Sequence, residues 1–349
     1  FRQSIPVIDP EIDMIEFAQN LGMAKPAYET YDGVRVFNDW SLRVYDKSRN
    51  RLITPEQQFL SETFKRASLP RYKLIYEQYE LFKQDHRVDF TDMITHFIDH
   101  EKAPHLKILI IDEAQDLMDE GLFQIIDKNL KGGSEKGKWR IFLDKNNQAD
   151  IVGKFDNGTF KKFEEFSSRP TIHLTTNCRN TKEIVRQIQM LAQADIGIPT
   201  VTKGHNPEIH YSTNKEDSAK RLERIIKQLL VSNVQASDIT VLTSLAEDLT
   251  SSPWLVSKDI RSKFTRFKSD FPLQPNRRTI QVATPMEFKG LETNYAIYTD
   301  VPPDFFDNPK SKSEFYVALT RAKFQFFAIL PDSSKNTVLQ LLREFQKEP

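Results

Sequence analysis

The stretch that most constrains this chain is Leu106–Asp116, LKILIIDEAQD. The apolar residues Ile108–Ile111, with Leu106 before them, make a run too short for a helix of ordinary length. Their β-branched content suits a strand buried on both faces, as in a parallel sheet. Asp112 and Glu113 then stand where such a strand ends. In open α/β sheets, ligands bind beyond the carboxyl ends of the strands. An Asp placed there is suited to hold Mg²⁺ through water, and a neighbouring Glu to align or deprotonate an attacking water. Taken alone, the same pair also suits a strand that stops in a solvated acidic turn.

The chain has 349 residues, more than one average core accommodates, so two domains are expected. With 39% hydrophobic and 28% charged residues, it reads as a soluble globular protein rather than a disordered one. The formal net charge is zero, so any nucleic-acid surface has to be a local patch. The single cysteine, Cys178, excludes an internal disulfide framework and fits a reducing, cytoplasmic compartment. No apolar stretch approaches the roughly 20 residues that span a bilayer, and no signal peptide opens the chain. Position 1 is Phe rather than Met, which suggests that the true beginning lies elsewhere.

Along the chain, Glu11–Gln19 suits a helix, and Asp32-Gly33 a turn before the strand Val34–Phe37. Pro55–His100 is mostly helical in pattern, and Phe90, Ile94 and Phe97 recur at helical spacing. After the central stretch come a helix over Gly121–Leu130 and a strand, Trp139–Asp144, that again ends in Asp. Residues 160–170, rich in charge, resemble a linker. The second half restarts with the strand Thr171–Thr176 and a helix for which Asn180 is the expected N-cap. Further strands are expected at Glu208–Ser212, Ile239–Thr243, Thr279–Thr284, Tyr295–Thr299 and Phe324–Leu330. Helices are expected over Ala219–Leu230, near Ser313–Arg321 and from Lys335. Strands alternating with helices in both halves point to two α/β domains with mainly parallel sheets.

Where these strands meet loops, polar side chains useful around a triphosphate recur: Gln148 after WRIFLD, Arg179 in TTNCRN, Lys289, Gly290 and Glu292 in ATPMEFKGLE, and Arg321 in FYVALTRAK. Arg bridges phosphate oxygens well and stabilises transition-state charge. In this order DEAQD, NCRN, KGLE and YVALTRAK resemble motifs II, IV, V and VI of the UvrD/Rep group of superfamily 1 helicases. WRIFLDKNNQ resembles their motif III, and VDFTDMI the segment before motif II. The resemblance covers roughly residues 34–349. It implies an ATP-hydrolysing motor with Mg²⁺ that moves along single-stranded nucleic acid, with DNA the expected polymer and 3′ to 5′ the expected polarity.

By that resemblance, Asp112 binds Mg²⁺ and Glu113 is the base toward water. Gln148 senses the γ-phosphate; Asn147 is the alternative left by one extra residue in the spacing. Arg179 and Arg321 reach the γ-phosphate, Gly290 and Glu292 approach the ribose, and Thr284 and Lys289 couple the site to the nucleic-acid backbone. Met286 replaces the family's usual His, which puts one nucleic-acid contact in doubt. The larger departure is that no G-x-x-x-x-G-K-[ST] occurs in these residues, so the phosphate cradle is missing. Truncation of a longer protein is the preferred explanation over real loss, because the acid pair and both arginines are intact.

Cys178 is read as a small core residue rather than a reactive thiol. The seven histidines show no metal-ligand spacing. Within Trp254–Arg278, Lys263, Arg266 and Lys268 are interleaved with Trp254, Phe264, Phe267 and Phe271. Such a pattern suits phosphate neutralisation and base stacking; the alternative is a surface element whose aromatics pack on the core. Trp40 has a lesser claim as a stacking residue. The expected architecture is therefore two RecA-like domains, residues 1–166 and 167–349. The first lacks its P-loop and carries a small helical insertion at 55–102; the second carries the basic-aromatic insertion at 245–278. Two other readings are a nucleotide-incompetent helicase-like scaffold, and the ATPase part of a nuclease or phage-defence complex whose nuclease lies on another segment or chain. No membrane partner is expected.

Overall fold

The structure is a computed structural model. It describes residues 13–21, 28–31, 34–37, 39–83, 88–100, 106–116, 118, 120–144, 157–167, 171–201, 204–246, 248–267 and 278–346. The chain divides into two compact units, with the boundary between Thr171 and Ile172. Both are α/β, and every strand pair outside one N-terminal hairpin is parallel among the described residues. No helix among them is long and apolar enough to cross a membrane.

Unit 1 begins with α1 (Asp13–Asn20) and an antiparallel hairpin of β1 (Tyr28–Tyr31) and β2 (Val34–Phe37). Four helices follow: α2 (Trp40–Asn50), α3 (Pro55–Ser61), α4 (Leu69–Lys83) and α5 (Phe90–His100). Local chemistry sets their starts. Asp39 accepts the Ser41 and Leu42 amides at the head of α2 (2.7 and 3.2 Å), and Thr54 and Gln57 form a reciprocal capping box ahead of Pro55. Leu42, Phe59, Tyr72, Ile75 and Tyr79 make the core shared by α2, α3 and α4. One buried polar network ties α2, α4 and α5. Arg49 reaches Asp46, Asp89 and Asp92 at 3.0, 2.8 and 3.1 Å, and Lys83 reaches Asp92 at 2.8 Å. Burial alone would raise the Asp89 carboxyl, but Arg49 and Lys83 hold it well below the usual range.

The rest of unit 1 holds β3 (Leu109–Ile111), α6 (Glu120–Asn129), α7 (Gly133–Lys136), β4 (Trp139–Ile141) and α8 (Asn157–Phe166), with β3 and β4 parallel. Leu109, Ile111, Trp139 and Ile141 pack against Phe123 and Ile126 of α6 and Phe160 and Phe163 of α8. Ile108 and Ile110 point the other way and are 63% and 67% exposed. The expectation of a strand buried on both faces is therefore corrected. Side chains alternate along a strand, and the described helices cover one face only. The linker expected at 160–170 is also corrected: its first part is helix α8, held by Phe160 and Phe163 against Phe123 and Trp139.

Unit 2 opens with β5 (Thr176–Thr181), α9 (Lys182–Ala192) and β6 (Ile198–Val201), β5 and β6 forming a parallel pair. There follow β7 (Glu208–Ser212), α10 (Lys215–Val231), β8 (Ile239–Thr243), α11 (Ser252–Leu255), α12 (Lys258–Arg261), β9 (Phe264–Arg266) and β10 (Ile280–Ala283). The chain ends with β11 (Thr293–Thr299), α13 (Pro309–Thr320), β12 (Ala322–Pro331) and α14 (Lys335–Phe345). Six strands form one parallel sheet in the order β7-β12-β11-β8-β10-β9. Alternate strand residues feed two cores. Ile239, Val241, Val282, Ile297 and Ile329 meet Leu222, Ile225 and Ile226 of α10. Leu242, Ala283, Tyr298 and Phe326 meet α9, α13 and α14 through Ile184, Phe315 and Val338. Each fully buried aliphatic side chain adds about 1.5–3 kcal/mol. The strand expected at Thr171–Thr176 lies later, at Thr176–Thr181, and Ile172 and Leu174 remain exposed.

Candidate functional site

Within β5 the NCRN segment bulges, and the bulge is a turn closed by a side chain. Asn177 Oδ1 accepts the amides of Arg179 (3.0 Å) and Asn180 (2.9 Å), a local bond at which Asn excels. The turn leaves Arg179 and Cys178 at the surface while Asn180 is buried. The core placement expected of Cys178 is thus corrected: the two asparagines take the inward positions. Asn180 does not cap α9, whose N-cap is Thr181. Its amide donates instead to the carbonyls of Thr320 (3.1 Å) and Ala322 (2.7 Å), which flank Arg321. Arg321 is buried. Its guanidinium donates to the Val317 carbonyl (3.2 Å), the Leu291 carbonyl (3.2 Å) and the Thr320 hydroxyl (3.0 Å).

Leu291 is the neighbour of Glu292, whose carboxylate pairs with Arg179 at 3.3 Å and with Lys323 at 3.0 Å. The hydrogen bond from Lys323, then the Lys323 and Arg179 charges, hold the Glu292 carboxyl below its ordinary range. Arg179, Glu292, Arg321 and Lys323 thus assemble at the amino ends of β11 and β12, paired there through Thr293 and Ala322. Gly290 has φ +79° with open space around its α-carbon, so its requirement is conformational. Lys323 and Asn180 carry parts of this site that sequence reasoning missed. The signal for Lys323 was its place two residues after Arg321; nothing local marked Asn180 as a bridge over 140 residues of chain.

The turn after β10 is also internally braced. Thr284 donates its amide and hydroxyl to Glu287 (2.8 and 2.9 Å) and accepts the Glu287 amide at 3.1 Å. Arg266 meets the same carboxylate at 2.6 Å and donates to the Phe267 and Val282 carbonyls. Burial would raise Glu287, but Arg266 and Thr284 hold it lower. Met286 is buried in the core, which accounts for an apolar residue at that position. Lys289 and Lys263 are half-buried. Trp254 donates its indole N–H to the Ala246 carbonyl (3.1 Å) and meets Phe264 edge-on, while Phe267 is buried. These aromatics take the core-packing role, and Arg266 acts as a strut for the Thr284 turn. Lys268 and Phe271 lie outside the described residues.

In unit 1, Asp112 and Glu113 follow β3 and are exposed. Asp112 accepts the Glu113 amide at 2.9 Å, and Glu113 has φ +51°, a conformation costing about 1–2 kcal/mol for an L-residue. The buried Gln115 holds this turn. Its amide donates to Glu113 at 2.5 Å, and its carbonyl accepts the Asp144 amide at 3.0 Å. Gln115 therefore joins the ends of β3 and β4, a role legible only once both strands are placed. Gln148 and Asn147 lie outside the described residues. Trp40 is half-buried and meets Phe59 and Tyr72 edge-on. No group of three or more His, Cys, Asp or Glu among the described residues is arranged to hold a metal. A cation at Asp112 would therefore rely on water and on oxygens of its ligand, which is how Mg²⁺ is commonly held.

No family model matches the chain, and no curated protein matches it. Among solved structures it is similar to the C-terminal domain of a possible DNA helicase from Lactobacillus plantarum WCFS1. That similarity is at 16% identity with a TM-score of 0.36, and it covers 48% of this chain and 96% of the other. Likeness at this level carries no functional argument.

Proposed function

We propose that the chain is the motor part of a UvrD-like superfamily 1 helicase, which couples ATP hydrolysis to movement along single-stranded nucleic acid, with DNA the expected polymer. One observation carries the reading. Three segments chosen for their motifs, around Arg179, Glu292 and Arg321, meet in unit 2 through an ion pair of 3.3 Å and through the two bonds from Asn180. Arg179 from the first segment and Lys323, two residues after Arg321, both pair with the Glu292 carboxylate, a convergence that unrelated loops would have no reason to make.

In this reading Arg179 and Arg321 stabilise charge on the transferring phosphoryl group, and Glu292 orders Arg179 and Lys323 until a polyphosphate competes for them. Glu113, which accepts a hydrogen bond from Gln115, orients and deprotonates water. Asp112 holds Mg²⁺, which when bound neutralises charge on the phosphate oxygens. Thr284 and Lys289 face the nucleic-acid backbone. The absence of a G-x-x-x-x-G-K-[ST] within these residues is the observation that favours the second reading, a nucleotide-incompetent scaffold. The test is Mg²⁺-dependent ATP hydrolysis by the full-length protein, with and without a single-stranded oligonucleotide. Hydrolysis stimulated by the strand is expected; absence of ATP binding would leave the scaffold reading.

A further inference from the structure

In unit 1, one buried side chain joins the proposed base to the neighbouring strand. β3 and β4 keep bonding past their last paired residues, Ile111 and Ile141. The Phe142 amide donates to the Ile111 carbonyl (2.8 Å), and the Ala114 amide donates to the Phe142 carbonyl (3.0 Å). The next rung is made by a side chain. Gln115, 1% exposed, accepts the Asp144 amide on its Oε1 at 3.0 Å, as a backbone carbonyl would. Its Nε2 then donates to Glu113 Oε2. A side-chain amide can sit either way round, and its partners decide which. Turned over, Gln115 would set its NH2 against the Asp144 N–H and its oxygen against a carboxylate. The Asp144 amide therefore fixes the end that Gln115 presents to Glu113.

Glu113 is exposed, and an exposed glutamate samples several rotamers, whereas a base has to hold one. Its φ of +51° is a conformation that persists only where neighbours impose it and that concentrates at functional sites. One carboxylate oxygen, Oε2, carries the bond from Gln115, which leaves the other for the proton of water. We propose that Gln115 is a positioning residue: it aims the Glu113 carboxylate at the attacking water and ties that aim to the carboxyl end of β4. The inference rests on the reading of Glu113 as the base and adds the residue through which β4 acts on it. Gln115 itself gains and loses no proton.

The test measures strand-stimulated ATP turnover and ATP affinity together in the full-length protein, for Gln115→Met, Gln115→Glu and Glu113→Gln. Gln115→Met keeps the length of the side chain and removes both bonds. It is expected to lower kcat about 10-fold to 100-fold, the scale of a misplaced catalytic group, with ATP affinity within about two-fold of the wild type. Gln115→Glu keeps the acceptor for the Asp144 amide and loses the donor toward Glu113, so above neutral pH it is expected to lose kcat likewise. A role confined to joining the strands predicts wild-type turnover in Gln115→Glu, and that result would overturn the proposal. The double variant separates the two roles again. If Gln115 acts through Glu113, adding Gln115→Met to Glu113→Gln changes turnover by less than about two-fold, whereas independent effects multiply and would also overturn it. Should Gln115→Met not fold, Gln115→Glu decides alone. If Glu113→Gln loses turnover while both Gln115 variants keep it, the inference fails and the base reading stands. No hydrolysis by the wild type, or near-normal turnover in Glu113→Gln, would remove the base reading and the inference with it.

Discussion

Replacing Asn180 tests whether the two arginine segments are held together as described. Its amide supplies the bonds to the Thr320 and Ala322 carbonyls at 3.1 and 2.7 Å, in a place where Asn180 is 2% exposed. Asn180→Ala leaves two buried acceptors without this donor, at about 1–3 kcal/mol for an unsatisfied group. Unit 2 should lose about 2–4 kcal/mol, because partial relaxation keeps the sum below the maximum. With a urea slope of about 2 kcal/mol/M, the midpoint falls by about 1–2 M. Asn180→Asp should cost more despite its equal size. It cannot donate when ionised, and it turns a buried charge toward two carbonyl oxygens. The assay is urea unfolding followed by Trp254, the one tryptophan of unit 2, with Trp40 and Trp139 replaced by phenylalanine. An Asn180→Asp protein as stable as the wild type would refute the bridging role.

Three further outcomes follow from the packing. Arg49→Ala leaves Asp46 and Asp89 without their main cation in the interior of unit 1, and should destabilise that unit by about 3–5 kcal/mol, read by thermal or urea unfolding. The Glu287 carboxyl lies below its ordinary 4.5 in the folded chain, so its stabilisation is complete above that value and is lost as pH falls through the folded pKa. Glu287→Gln should therefore be less stable at neutral pH and lose less stability between pH 7 and the acid range; identical pH profiles would contradict the Arg266–Glu287–Thr284 brace. Gly290→Ala meets no atom but forces a left-handed residue, and should cost about 1 kcal/mol in unit 2.

The strands of unit 2 were legible because their burial is written into composition. Glu208–Ser212 and Ile239–Thr243 have the observed bounds, and the apolar residues of Ala219–Leu230 form the core-facing stripe of α10. Alternation misled where an extended segment carries no ladder: Ile172 and Leu174 have strand-like sequence, yet pairing begins at Thr176. Charge misled at 160–166, because Lys161, Lys162, Glu164 and Glu165 share a helix with Phe160, Phe163 and Phe166, which carry its apolar packing. For the candidate site, the motif resemblance named Arg179, Glu292 and Arg321, whose segments the fold brings together, but not their supports. Asn180, Gln115 and Lys323 act through partners distant in sequence or set by strand pairing, and single-sequence periodicity has no term for such bonds. The basic-aromatic stretch after Trp254 had two readings because Trp and Phe serve base stacking and core packing equally well; only burial separates the two.

The central claim is an ATP-hydrolysing site that uses Glu113 toward water and responds to a single strand. Its most direct test compares the wild type with Glu113→Gln in the full-length protein, measuring ATP affinity and strand-stimulated turnover in the same preparation. Gln keeps the size of the side chain and its reach to Gln115 but cannot take a proton. Retained ATP affinity with turnover lowered about 100-fold or more, the scale of a general base, is the expected result. Near-normal turnover in Glu113→Gln, or no ATP binding by the wild type, would contradict the account.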